Sequence, residues 1–244
     1  MLIDIVARVV LAPVLAWQAV ATRRRAHMLP VPSGAISGVV GTGPQLRLLI
    51  LGDSSAAGVG VPTQSEALLG QIIIGLKDHY EVRYDLVAES GARTGDVLAL
   101  LPGLPSAGYD VVVTALGVND VTKLTTLHQF IARQDRLIDY LQEAHGAQLV
   151  VVSGLPPMHQ FPLLPEPMRW VLGRQAKRFD ANLRRLIATK PGACALKFDM
   201  ELSTSNMSAD GFHPGAPVYA AWAARVLETI KAHDAQLDLP QPTT

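Results

Sequence analysis

Hydrophobic and polar residues follow two regular patterns along most of the chain. Short apolar runs predict β-strands at residues 47–51, 82–88, 110–115, 148–153 and 194–199. Longer stretches with apolar residues three and four apart predict helices at residues 64–78, 95–101, 125–145, 168–189 and 215–234. Several strand candidates are apolar at every position, as strands covered on both faces require. Alternating strands and helices therefore predict an α/β fold with a parallel sheet and helices on both faces.

Residues 1–25 have a different pattern, since they form one long apolar stretch that ends in Arg23-Arg24-Arg25. The stretch is long enough to span a bilayer as a helix, but its charged residues make spanning marginal. The arginines would hold the following domain on the cytoplasmic side. We expect a membrane-associated helix with that orientation. The alternatives are a helix packed on a soluble cytoplasmic domain and a secretory signal cleaved near Ala21.

The rest of the chain divides into three segments. Residues 26–45 are rich in proline and glycine and predict a linker. Residues 46–236 hold the strand and helix patterns and form one domain of ordinary size. Residues 237–244 are a C-terminal tail.

Composition narrows the possible partners. The chain is 49% hydrophobic and 17% charged with a formal net charge of zero, so charge gives no reason to bind nucleic acid. No cluster of Cys, His and carboxylate residues has the spacing of metal ligands, and we expect no metal site. The single cysteine, Cys194, excludes an internal disulfide. We expect a buried structural thiol there, because no basic residue adjoins it in sequence.

Polar residues follow the predicted strands. Ser54 comes directly after the first strand, residues 90–94 after the second and residues 117–120 after the third. Asp210 and His213 lie in the loop before the last helix. The carboxyl ends of parallel strands share one edge of a sheet, where ligands bind. These segments are therefore expected to meet in one site.

A serine, a histidine and an aspartate at one edge suggest nucleophilic hydrolysis. A serine hydroxyl is a weak nucleophile until a base takes its proton, and His213 can be that base for Ser54. Asp210 can accept a hydrogen bond from the other ring nitrogen and fix the tautomer. Asp199, at the end of the last strand candidate, is the alternative partner of His213.

Acyl transfer also needs N–H donors for the oxyanion of the tetrahedral intermediate. The candidates are the backbone N–H groups of Ser54 and Gly91 and the side-chain amide of Asn119. Asp53 and Asp120 are assigned to turn and loop hydrogen bonds.

Other functions fit the residues less well. The α/β-hydrolase nucleophile elbow needs Gly-x-Ser-x-Gly, and Ala56 stands where its second glycine would be. A non-catalytic flavodoxin-like module could hold a phosphate at residues 52–60, but no P-loop lysine follows and the Asp210/His213 pair would be unexplained. A membrane-tethered interaction protein would rest on residues 1–25 alone.

Four sequence blocks resemble those of the SGNH hydrolases, also called GDSL-type esterases and lipases. They occur in order over residues 46–234: Gly52-Asp53-Ser54, Gly91, Gly117-Val118-Asn119-Asp120 and Asp210-Gly211-Phe212-His213. One departure is Glu89-Ser90-Gly91, which lacks the asparagine that some members carry before the glycine.

The resemblance implies specific roles and a specific fold. Ser54 would be the nucleophile, His213 the base and Asp210 its orienting partner. Ser54, Gly91 and Asn119 would form the oxyanion hole. The fold would be a five-stranded, flavodoxin-like three-layer sandwich without a cofactor.

The expected activity is hydrolysis of small-molecule carboxylic esters through an acyl-enzyme. Short to medium acyl or aryl esters are expected, because no large lid domain is apparent. A carbohydrate O-acetylesterase, a thioesterase or a lysophospholipase would use the same machinery.

The apolar, proline-rich loop at residues 154–170 follows a strand at the same edge. It either forms the wall of an acyl pocket, with Met158, Phe161 and Leu163 as its lining, or packs on the domain or the N-terminal helix.

Overall fold

The structure is a computed structural model that describes residues 10–25, 29–104, 108–234 and 237. Six strands form one sheet in this part of the chain: β1 Ser37–Val40, β2 Gln45–Gly52, β3 Glu81–Ala88, β4 Val111–Ala115, β5 Leu149–Ser153 and β6 Ala193–Leu196. Their spatial order is β1-β3-β2-β4-β5-β6. Strands β2 to β6 pair in parallel, and β1 pairs antiparallel with β3.

The sheet differs from the predicted one at its β1 edge. All five predicted strands form and are parallel, but the sheet is mixed and has a sixth strand. Strand β1 lies within the predicted linker, residues 26–45, and aligns Ser37 with Asp85 and Val40 with Val82. Four residues, three of them exposed, are too few to show the alternation that marks a strand in sequence.

Seven helices lie in the described residues: α1 Ala12–Arg25, α2 Leu68–Leu76, α3 Thr94–Leu100, α4 Val118–Thr122, α5 Leu127–Glu143, α6 Met168–Ile187 and α7 Ala216–His233. Helix α2 packs on α7, whereas α5 packs on both α3 and α6. Strands β4 and β5 are buried at every position, so the centre of the sheet is covered on both faces.

The local sequence explains where α5 begins and how it meets α6. Thr126 and Gln129 form a reciprocal capping box, each side chain bonding the other residue's backbone N–H at 3.2 Å. This box starts α5. Phe130 of α5 stacks on Phe179 of α6 with ring centroids 4.9 Å apart. The helices therefore hold a rigid sheet whose carboxyl edge carries the polar loops.

Helix α1 rests on the domain through one polar side chain. The Gln18 amide donates to the carbonyl oxygen of Glu166 at 2.6 Å and accepts from the Met168 N–H at 3.1 Å. The predicted helix over residues 1–25 extends beyond the described residues, which begin at residue 10. No helix in the described ranges has both the length and the apolar character that a bilayer crossing requires.

Candidate active site

Ser54 sits in a tight turn directly after β2. The Ala57 N–H donates to the Asp53 carbonyl at 3.0 Å, and the Val59 N–H donates to the Ser54 carbonyl at 3.0 Å. Gly52 allows β2 to approach β4 at this point, since a Cβ there would lie 2.4 Å from the carbonyl oxygen of Ala115. The turn thus presents Ser54 at the carboxyl edge of the sheet.

A chain of hydrogen bonds joins Ser54 to His213 and Asp210. His213 Nε2 lies 2.9 Å from Ser54 Oγ, and His213 Nδ1 lies 2.5 Å from Asp210 Oδ2. With the Nδ1 proton directed at the carboxylate, the Nε2 lone pair faces the serine hydroxyl. This is the geometry that general-base activation of a serine requires.

The surroundings of Asp210 favour its ionised form. Its Oδ1 accepts hydrogen bonds from the Ser208 hydroxyl at 2.7 Å and from the N–H groups of Phe212 at 2.8 Å and His213 at 2.9 Å. Burial works to raise the pKa of Asp210, but the hydrogen bonds from His213, Ser208 and Phe212 outweigh it and hold the pKa well below the usual range. The carboxylate can therefore orient a neutral imidazole and stabilise a charged one.

Asp199, the alternative partner of His213, lies elsewhere. Its carboxylate faces Lys197 at 3.8 Å and Arg225 at 3.7 Å in half-exposed ion pairs. No hydrogen bond joins it to His213 among the described residues, so the geometry selects Asp210.

The loop that carries His213 docks tightly on the turn that carries Ser54. The loop closes on itself through the Ser208 N–H, which donates to the His213 carbonyl at 2.9 Å. Gly60 meets it with a φ of +116°, and a Cβ there would lie 2.2 Å from the Pro214 carbonyl oxygen and 3.3 Å from His213 Cβ. The distance between nucleophile and base therefore depends on a position that has no room for a side chain.

Asn119 enters the site from the first turn of α4, just after β4. Its amide nitrogen Nδ2 donates to Asp53 Oδ2 at 2.9 Å. Because the amide carries two N–H groups, this bond orients the second one. Asp53 Oδ1 accepts from the Ser55 N–H at 2.9 Å and the Ser55 hydroxyl at 2.7 Å.

Asp53 therefore does more than the predicted turn bonding. Burial raises the pKa of its carboxyl, while hydrogen bonds from Ser55 and Asn119 and the proximity of His213 work against that rise. Sequence reasoning missed the contact with Asn119, and no spacing signal in the sequence points to it.

Gly91 follows β3 in a left-handed conformation, with a φ of +83°. The backbone N–H groups of Gly91 and Ser54 have no hydrogen-bond partner within the described part of the chain. The Lys123 ammonium donates to the Gly91 carbonyl at 2.6 Å, another contact that the sequence did not suggest. Gly91 is not among the residues that line the cleft beside Ser54.

Asp120 supports this edge without facing the cleft. It is fully buried, and its Oδ2 accepts from the N–H and the hydroxyl of Thr94, both at 2.9 Å. The Gln134 amide donates to the same hydroxyl at 3.0 Å. Asp120 therefore anchors the start of α3, close to Gly91, in agreement with the loop role expected for it.

A cleft of about 580 Å³, counting the open space at its mouth, adjoins Ser54 and His213. Beyond the polar groups its lining is apolar and includes Leu116, Val118, Pro156, Phe161, Phe198, Leu202, Met207, Phe212, Pro214 and Trp222. Such a lining suits the hydrocarbon part of a small ligand.

Only one of the three predicted lining residues of loop 154–170 lines the cleft. Phe161 lines it, whereas Met158 is fully buried in the hydrophobic core beneath the loop. Leu163 is half-buried outside the cleft, and its N–H donates to the Gly211 carbonyl at 3.0 Å. Both interpretations of the loop hold in part, because it also contacts Gln18 of α1.

Two further sequence expectations concern metals and Cys194. In the described ranges no group of three or more Cys, His, Asp or Glu side chains could hold a metal ion. Cys194 is half-buried rather than buried, and its Sγ lies 3.2 Å from His233 Nε2 of α7, a neighbour that the adjacent sequence does not show. Burial raises the pKa of this thiol.

Comparisons with known proteins agree with the geometry. The profile of the GDSL-like Lipase/Acylhydrolase family matches residues 50–221. The GDSL-like esterase Rv1075c of Mycobacterium tuberculosis is 26% identical over 208 residues, which is 80% of this chain. The chain spans 65% of the length of that relative.

Solved structures of similar fold come from several esterases. The psychrotrophic esterase EstA from Pseudoalteromonas sp. aligns with a TM-score of 0.62 at 19% identity, covering 78% of this chain and 98% of that one. Axe2, an acetylxylan esterase from Geobacillus stearothermophilus, aligns with a TM-score of 0.55 at 18% identity, covering 78% and 95%. With the profile match over most of the domain, these findings confirm the resemblance read from the four blocks: the chain belongs to the GDSL-like lipase/acylhydrolase family.

Proposed function

We propose that this protein is a serine carboxylic-ester hydrolase that works through an acyl-enzyme on Ser54. The observation that carries the proposal is the hydrogen-bonded series Ser54–His213–Asp210 at the edge of an apolar cleft. Family membership supports the same activity.

The geometry supports a two-step reaction. In the first step His213 Nε2 takes the Ser54 proton as Oγ attacks the ester carbonyl, and the same proton then passes to the leaving alcohol. In the second step His213 takes a proton from water as the water oxygen attacks the acyl carbonyl. The bond from that carbonyl to Ser54 Oγ then breaks, the carboxylic acid leaves, and His213 returns the proton to Ser54 Oγ.

The oxyanion of each tetrahedral intermediate would be held by three donors. They are the backbone N–H groups of Ser54 and Gly91 and the second N–H of the Asn119 amide, which Asp53 orients. Donors fixed before the reaction stabilise the developing charge without reorganisation.

The cleft favours short to medium acyl or aryl esters. Its lining is mostly apolar and aromatic, and such surfaces stabilise hydrocarbon groups by burying them. A carbohydrate O-acetylesterase, the alternative suggested by the likeness to an acetylxylan esterase, would need polar groups for the sugar at the mouth of the cleft.

Hydrolysis of p-nitrophenyl esters tests the proposal. We expect the wild-type protein to hydrolyse the acetate and butyrate, and Ser54→Ala to lose this activity almost completely. Ser205→Ala is a matched control, because Ser205 lies exposed on the protein surface. Equal loss in both variants, or full activity in Ser54→Ala, would contradict the assignment of the nucleophile.

We also propose that the outer face of α1 contacts a membrane surface, as expected for residues 1–25. Gln18 fixes the inner face on the domain, and the outer face leaves Trp17 69% exposed, with Val14 and Val20 also exposed along the helix. The sequence places three arginines at the end of this helix, and cationic residues beside an apolar face favour anionic lipid. Such contact fits a domain on the cytoplasmic side.

Sedimentation with vesicles of phosphatidylglycerol and phosphatidylcholine tests this contact. We expect the full chain to pellet with the vesicles, and Trp17→Ser or deletion of residues 1–25 to leave it in solution with esterase activity intact. Leu124→Ser, which removes an exposed leucine far from α1 in sequence, should pellet like the wild type. A full chain that stays in solution would favour a helix that serves the domain alone, and a mature N-terminus at Thr22 would favour a cleaved signal.

A further inference from the structure

Phe198 and Trp222 form a buried aromatic wall of the cleft. The two rings meet edge to face, with centroids 5.3 Å apart and an angle of 70°. Trp222 is 3% exposed and Phe198 is 9% exposed. Both line the same cleft as Ser54.

Trp222 is fixed in place by one partner from β5 and one from its own helix, α7. Its indole Nε1–H donates to the Ser153 hydroxyl, at the end of β5, at 3.1 Å. The ring of Tyr219 lies parallel to it at 6.3 Å, and the Tyr219 hydroxyl donates to the Val59 carbonyl at 2.8 Å. A close-packed side chain with a satisfied polar group does not move aside at low cost.

The chemistry decides which part of the substrate faces this wall. The alcohol must leave for solvent after the first step, whereas the acyl group stays bonded to Ser54. The side chain of His213, which protonates the alcohol, is 19% exposed, so the cleft is more open on that side. The buried end is left for the acyl chain.

We propose that Trp222, held by Ser153, ends the acyl pocket and sets the upper limit on acyl chain length. The inference rests on the proposed esterase function and adds its specificity. Removing the indole lengthens the pocket, and removing the Ser153 hydroxyl only loosens the indole. A larger change in specificity follows from the first substitution than from the second.

The test is the ratio of kcat/KM for p-nitrophenyl octanoate to that for p-nitrophenyl acetate. We expect Trp222→Ala to raise this ratio by about tenfold or more, since each methylene in an apolar pocket contributes a factor of that order. Trp222→Phe and Ser153→Ala should raise it less. Trp170→Ala, at a half-exposed tryptophan that does not line the cleft, should leave it unchanged.

Different outcomes separate the inference from the function on which it rests. A folded Trp222→Ala protein that hydrolyses acetate with an unchanged ratio overturns the inference and leaves the esterase in place. So does a shift seen only with acetate esters of longer alcohols. If Trp222→Ala does not fold, an unchanged ratio in both Trp222→Phe and Ser153→Ala overturns it. A wild-type protein that hydrolyses no ester removes the function and the inference together.

Discussion

At the residue scale, Asn119 is the side chain whose contribution is easiest to isolate. We expect Asn119→Ala to lower kcat by roughly two to three powers of ten with little change in KM, because its amide would bond the oxyanion more strongly than the ground-state carbonyl. Steady-state kinetics on a p-nitrophenyl ester measures both constants. Asp120→Asn should act mainly on stability, since Asp120 bonds Thr94 rather than the cleft. A folded Asn119→Ala enzyme with nearly full kcat would remove Asn119 from the oxyanion hole.

Asp53 should act through Asn119. We expect Asp53→Asn to lower kcat, because an amide in place of the carboxylate cannot accept from both Ser55 and the Asn119 amide as the carboxylate does. In the Asn119→Ala background the same substitution should cost much less, and a double-mutant cycle measures the difference. Fully additive effects would mean that Asp53 acts by another route.

The pairing of His213 with Asp210 rather than Asp199 gives a direct comparison of two aspartates. We expect Asp210→Asn to lower kcat by roughly three to four powers of ten, since the amide would favour the wrong imidazole tautomer. Asp199→Asn should leave kcat close to wild type, because Asp199 faces Lys197 and Arg225. The reverse ranking would exchange their roles.

The rate should also depend on pH in one direction. Hydrogen bonds hold the pKa of Asp210 well below the usual range, against the effect of burial, so its charge is constant from mildly acidic pH upward. We expect kcat/KM to rise from acidic to alkaline pH, because His213 can accept the Ser54 proton only in its neutral form. A profile that is flat from mild acid to alkaline pH would contradict general-base catalysis by His213.

The same carboxylate affects stability in acid. Because the folded-state pKa of Asp210 is lowered, its contribution is complete above the pKa of an unfolded aspartate and is lost as pH falls toward the folded-state value. Asp210→Asn should therefore reduce the acid-induced loss of stability, which thermal unfolding at several pH values measures. An unchanged pH dependence of the unfolding temperature would contradict a stabilising role for the ionised Asp210 carboxylate.

Sequence reasoning selected Ser54, His213, Asp210 and Asn119, which the structure brings together, because few residue types can perform this chemistry and all four stand in recognisable blocks. It missed the bonds from Asn119 to Asp53 and from Lys123 to Gly91. The partners in the first pair are 66 residues apart, and those in the second are 32 apart. Such contacts depend on how strands are placed side by side, which residue order alone does not state.

At the scale of elements, activity depends on how the Ser54 turn docks on the His213 loop. We expect Gly60→Ala to destabilise the fold by at least about 1 kcal/mol, because its φ is positive and a Cβ would press on the Pro214 carbonyl. We expect kcat/KM to fall by more than the loss of folded protein explains, since the strain separates Ser54 from His213. Gly103→Ala, where a Cβ meets nothing within 4 Å, is the matched control. Full activity in Gly60→Ala would show that the docking tolerates a side chain.

The central strands and long helices were predictable, whereas two of the short elements were not. Val111–Ala115 and Leu149–Ser153 are continuous apolar runs, and Leu127–Glu143 has a clear apolar face. Strand Ser37–Val40 and helix Val118–Thr122 are too short to show a reliable hydrophobic pattern. The prediction that Met158 lines the pocket was wrong, since the sequence does not show whether an apolar loop residue faces the core or the cleft.

At the scale of the whole molecule, the parallel strands explain why distant segments form one site. Strands β2 and β4 end side by side, with Gly52 opposite Ala115, and the turns that carry Ser54 and Asn119 begin within a few residues of that pair. The sequence predicted this edge because polar residues directly follow several predicted parallel strands. The aromatic wall of the cleft was not predictable from the sequence, because Ser153, Phe198 and Trp222 come together only when β5, β6 and α7 pack.

The most direct measurement is to label the full chain with a fluorophosphonate and locate the adduct by mass spectrometry. We expect one adduct, on Ser54, which disappears in Ser54→Ala and forms much more slowly in Asp210→Asn, since only a serine activated by an oriented base attacks the phosphorus readily. An adduct on another serine, such as Ser55 or Ser153, or equal labelling of Ser54→Ala, would contradict the central claim that Ser54 is the nucleophile of this site.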